Sequence, residues 1–211
     1  TYASTNATGS PIDSGVVNAS TAEAIQLTGI MPESLIFCTG ATVNTNCTTT
    51  TSGIIAFNQL FSPTDTATAS SQMSASTNAG SGYAITVNGP TLASGANTIP
   101  AMSTAGVGVK GTGQFGMNLR LNTTTTSTVA IGADVSPASN GTDLKAQPGT
   151  DYNTPDTFRF VPGATVADSS NGGIGPTNSQ VYTASYIVNV AGNQLAGTYT
   201  TTLTYICTPT F

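Results

Sequence analysis

Apolar side chains in this chain recur at every second position rather than at helical spacing. The clearest case is C-terminal, AGTYTTTLTYICTPTF from Ala196: Tyr199, Thr201, Leu203, Tyr205 and Cys207 take the odd positions, and Thr200, Thr202, Thr204, Ile206 and Thr208 the even ones. Successive side chains of a strand point to opposite faces, so this spacing predicts a long closing strand. One face enters a core and the other is mostly threonine hydroxyls. Phe115, Met117, Leu119 and Leu121 alternate in the same way, as do Tyr182, Ala184, Tyr186, Val188 and Val190. The stretch from Thr66 to Ser76, the turn cluster from Asn78 to Gly82, and Tyr83, Ile85 and Val87 read as a hairpin. A helix over 20–27, capped by Ser20, Thr21 and Glu23, is not favoured, because the segment is short and its surroundings are β-rich. Many short strands divided by Gly, Asn, Pro and Asp turns predict an all-β antiparallel sandwich or barrel.

The pattern weakens at the N-terminus. Residues 1–20 are polar and turn-rich, with Ile12, Val16 and Val17 as their aliphatics. They read either as a frayed terminus or as an arm that adds a strand to a neighbouring subunit. The expected organisation is an arm, 1–20, as candidate donor strand, followed by a β-domain, 21–211. Tyr199, Leu203 and Tyr205 are the expected wall of the groove that would accept such a strand.

Composition sharpens this picture. Of the 211 residues 38% are hydrophobic, enough for a core, but only 6% are charged, against roughly 25% in ordinary soluble domains. A surface of Thr, Ser, Asn and Gly repels its own kind weakly, which tolerates self-association. Lys110, Arg120, Lys145 and Arg159 are the only cations in a chain of net charge −5, so nucleic acid has no basic patch to meet. No apolar run approaches the length of a membrane-spanning helix. The start at Thr1, without initiator Met or leader, reads as the mature part of a secreted chain. Cys38 and Cys47 flank a short Thr/Asn loop and are the expected disulfide pair. Pairings with Cys207 remain open on sequence grounds.

Candidate chemistry is sparse. The chain has no His, which removes Ser-His-Asp and Cys-His machinery and the commonest metal ligand. It has no Trp, which counts against a sugar-stacking cleft. No catalytic residue, resident metal or cofactor is expected, and the chain reads as no enzyme. The loop DYNTPD places Asp151, Asn153 and Asp156 near one another as oxygen donors, but not at EF-hand spacing. Covalent glycans are expected instead, since Asn6, Asn18, Asn46, Asn122 and Asn140 each begin an Asn-x-Ser/Thr acceptor.

Three stretches carry a family resemblance: the closing run from Ala196 to Tyr205, GSGYAITVNG from Gly80, and MPESLIF from Met31. They resemble secreted bacterial β-sandwich surface proteins of the pilin-like, spore-coat-U and WxL kinds. Tyr205-Ile206-Cys207 stands where a Trp-x-Leu signature would be. The resemblance implies an immunoglobulin-like sandwich exported to the cell surface. In filament-forming relatives an N-terminal segment of one subunit completes the sheet of the next. The expected function is therefore a homopolymeric filament subunit, extracellular or at the cell surface; the alternative is a monomeric adhesin or carbohydrate-binding module.

Overall fold

The computed structural model describes residues 2–9, 11–16, 24–51, 53–123 and 130–211. The chain divides into two compact units, Thr1–Pro32 and Glu33–Phe211.

In the first unit, β1 (Tyr2–Thr5) and β2 (Pro11–Gly15) form an antiparallel hairpin, with Tyr2 opposite Gly15 and a register shift between Ser4 and Thr5. Gly9, at φ +79°, closes the turn by donating its N–H to the Asn6 carbonyl at 2.9 Å. A residue with a Cβ adopts that left-handed conformation only at a cost. Residues Ala24–Ser34, which run into the second unit, have no regular secondary structure.

The second unit contains β3 (Leu35–Gly40), β4 (Ala67–Thr77), β5 (Tyr83–Asn88), β6 (Ala93–Ser94), β7 (Asn97–Thr98), β8 (Gln114–Asn118), β9 (Gln147–Pro148), β10 (Thr165–Asp168), β11 (Thr177–Asn189) and β12 (Thr204–Pro209). Two four-stranded antiparallel sheets, ordered β3-β4-β11-β8 and β12-β5-β10-β9, pack together as a sandwich; β6 and β7 form a small separate ribbon. Among the described residues there is no α-helix, only a 3-10 turn at Thr150–Tyr152. The all-β expectation therefore holds.

Odd-numbered residues of β4 and β5 fill the space between the sheets, with Met73, Ala75, Ile85 and Val87 fully buried. Tyr182 and Ala184 of β11 meet them from the same sheet as β4, and Val166 of β10 from the same sheet as β5. Strand β11 is buried on both faces: Ile187, on the side away from this core, packs with Met102 and Phe158 under the loops that follow β7.

The structure corrects the expected hairpin of 66–76 with 83–87. β4 pairs with β3 and β11, whereas β5 pairs with β12 and β10, so the turn between them carries the chain from one sheet to the other. Alternation identifies which side chains share a face but not which backbone lies alongside. Two strands that face each other across a core satisfy the same pattern as two that pair edge to edge. The closing strand is also shorter than its alternation suggests. Ladder pairing covers Thr204–Pro209, and upstream of it Thr200 makes a single bridge to Ala93.

Candidate functional site

Strands β3 and β12 are terminal in their sheets and approach each other on one side of the sandwich. Their outer edges carry backbone groups that the ladders do not use. Val87, opposite Tyr205, donates its N–H to Ala164 at 3.1 Å and accepts from Gly163 at 2.7 Å, both on the side away from β12. By the alternation of an antiparallel ladder, the main-chain groups of Tyr205 and Cys207 therefore point away from β5. On β3 the same argument runs from Asn78, which donates its N–H to Ser34 at 3.2 Å, just beyond the Leu35–Thr77 pair. Leu35, Phe37 and Thr39 then direct their backbone outward. An edge of this kind is a ready template for another strand.

A cavity of about 460 Å³ opens at this side. Ala69 and Ser71 of β4, Phe115 of β8 and Tyr186 of β11 form its floor. The opposite wall is Leu92 with Tyr199, Leu203 and Tyr205, so the three residues expected to line an acceptor groove do line one cavity. The third side is Gly53–Phe57, which passes without strand pairing. Here Ile55 and Phe57 are half-buried against the core, Phe57 stacks edge-on against Phe61 at 5.4 Å, and Ile54 is exposed. Among the described residues, no Asp, Glu, Lys or Arg lines the cavity.

Its floor is tied to its wall by hydroxyls. Ser71 Oγ and Tyr186 Oη are 2.8 Å apart, and Tyr186 Oη and Tyr205 Oη 2.6 Å. A second cross-sheet pair lies deeper, with Tyr83 Oη 3.1 Å from Tyr182 Oη, which donates to the Asp168 carbonyl at 2.7 Å. Burial raises the pKa of Tyr83, Tyr182, Tyr186 and Tyr205 above the ordinary phenol range. Burial also pushes the Cys207 thiol, the one free thiol, up to about 12. A neutral thiol of this kind is a packing group, not a nucleophile.

The remaining expected residues are scattered. Cys38 and Cys47 are joined by a disulfide. Ile12 lies in β2, Val16 follows that strand and is 72% exposed, and Val17 lies outside the described residues. Asn18 lies outside them as well. Asn6 and Asn46 are exposed in turns where the Thr two residues on donates its hydroxyl to the Asn Oδ1, at 2.7 and 2.8 Å. Asn140 is exposed, but its Oδ1 accepts three backbone amides and its Nδ2 donates to Asp143 at 2.5 Å. Asn122 is fully buried. Its Nδ2 donates to the Arg120 carbonyl at 2.7 Å and its Oδ1 accepts from the Asp156 N–H at 2.7 Å, so a sugar there has no room in the folded chain.

Sequence could not separate these acceptors, since the three-residue pattern carries no burial. The DYNTPD oxygens are used within the protein. Asp151 accepts from Arg159 and Asn153 from Arg120, while Asp156 accepts from the Thr123 N–H. No group of His, Cys, Asp or Glu suited to a metal ion occurs among the described residues. Alternation did not reveal Gly53–Phe57, whose apolar residues are unevenly spaced. No helix of the described residues is long and apolar enough to cross a membrane. No family model matches the chain, and no curated protein matches it.

Proposed function

We propose that this chain is a structural subunit of an extracellular filament, exported to the cell surface. Its N-terminal region completes the immunoglobulin-like sandwich of the next copy. The observation that carries this reading is the edge of β12, which no strand of the described residues pairs and which runs beside a cavity walled by Tyr199, Leu203 and Tyr205 with no charged side chain among its described lining. A strand laid along that edge gains main-chain hydrogen bonds, and its alternate side chains drop into the cavity. A contact of this kind joins a segment of one copy to a different surface of another, so it is head-to-tail and propagates without closing. The low charge supports the same reading, because copies with 6% charged residues repel one another weakly. Glycans on exposed acceptors such as Asn46 would supply solubility that the missing charges do not.

Negative-stain microscopy of native material tests the proposal: long fibres are expected from the full chain. Removing residues 1–32 should leave sandwich domains that form none. Unchanged fibres after that deletion would place the joining contact elsewhere in the chain.

A further inference from the structure

Within the N-terminal region, the stretch that stands out in the structure is Ala24–Met31. It reads AIQLTGIM, contains no charge, and belongs to no strand, helix or bridge. Ile25, Leu27 and Met31 are 84%, 90% and 84% exposed, and Ile30 97%. Such large apolar side chains, contiguous and almost wholly in water, mark a surface that awaits a partner. Their spacing says what kind. Ile25, Leu27, Gly29 and Met31 fall on one face of an extended chain, with Ala24, Gln26, Thr28 and Ile30 on the other. By contrast, Pro11–Gly15, which contains Ile12, is already paired along one edge with Tyr2–Thr5.

Resting on the filament reading above, we infer that Ala24–Met31 is the strand handed to the neighbouring copy. It lies along the open edge of that copy's β12 and sends Ile25, Leu27 and Met31 towards the cavity beside Tyr199, Leu203 and Tyr205. The dimensions agree. Eight extended residues span roughly 26 Å at about 3.3 Å each, enough to cover the six residues of β12, Thr204–Pro209, at roughly 20 Å, and to reach past them towards Leu203. The chemistry agrees too: an uncharged segment meets a cavity with no charged side chain among its described lining, and the backbone groups of Tyr205, which lines it, point away from β5. The occupant is a second copy, as the filament reading above requires: a segment from the first unit of one chain meets the second unit of another.

The test uses the full chain and two variants in sedimentation velocity and negative-stain microscopy. I25D/L27D places two carboxylates on the inserting face, at positions so exposed that the fold of the subunit is not at stake. V16D, also at an exposed position, alters the end of the hairpin strand instead. Wild type and V16D should form filaments, and I25D/L27D should form none. Because the I25D/L27D chain keeps an intact cavity, a substoichiometric addition should also cap and shorten wild-type filaments. Filaments from I25D/L27D that match wild type, with or without loss in V16D, overturn this assignment and leave the filament reading standing. A wild-type chain that stays monomeric at every concentration overturns both.

Discussion

Tyr186 and Tyr205 show how single residues set the chemistry of the cavity. Each hydroxyl is buried and satisfied by another hydroxyl rather than by a charge, so the neutral form is strongly preferred. The same holds for Tyr83 and Tyr182. A group whose folded pKa lies above its unfolded value of about 10 contributes stability that is complete below that pH. The contribution is lost as pH rises from there through the folded value. Alkaline titration should therefore show tyrosinate absorbance from these buried phenols appearing together with loss of near-ultraviolet circular dichroism. Ionisation well before the circular dichroism changes would contradict the burial. Cys207 gives a second reading of the same interior. With its thiol raised from about 9 to about 12, alkylation in the folded chain near pH 8 should be slower than in urea by on the order of a thousandfold. Equal rates would mean that the thiol is not held in the core.

At the scale of elements, some features were legible in the sequence and others were not. The alternation at Tyr182, Tyr186 and Val188 located the central strand, because a face buried against a second sheet must be apolar at every other residue. The partners of β4 and β5 were not legible: the turn from Asn78 to Gly82 suits a hairpin or a crossing between sheets equally well. Tyr199, Leu203 and Tyr205 could be read as one face, whereas Gly53–Phe57 lacks any period and emerged only from packing. Burial of Asn122 was likewise invisible, since its amide is held by the Arg120 carbonyl and by Asp156, which lies 34 residues further along the chain. The Cys38–Cys47 bond closes a short loop at the end of β3, beside the cavity. Closing a loop of this length restricts the unfolded chain by roughly 2–3 kcal/mol. The C38S/C47S double variant should lose about that much in urea unfolding at an unchanged m-value. A loss near zero would mean that the loop is equally ordered without the bond.

For the whole molecule, assembly depends on whether insertion of one strand outweighs the cost of joining two copies. Association costs an estimated 4–15 kcal/mol in lost freedom, so main-chain pairing along β12 does not suffice without side-chain burial. Burying a Leu or Ile side chain contributes roughly 1.5–3 kcal/mol, and each 1.4 kcal/mol is a factor of ten in affinity. Truncating one inserted side chain should therefore weaken assembly without abolishing it. Leu27→Ala should raise the critical concentration for filament formation by roughly ten- to a hundredfold. The same change at Gln26, on the opposite face of the extended segment, should leave it within about threefold, as expected for a surface substitution. With no charged group in Ala24–Met31 or in the cavity lining, neither value should shift appreciably with salt, because there is little charge at the contact to screen. Critical concentrations measured by pelleting at low and high ionic strength check both points together. A strong salt dependence would mean that subunits meet through charged surfaces elsewhere. Equal effects at 26 and 27 would mean that the segment does not enter as a strand with one face inward.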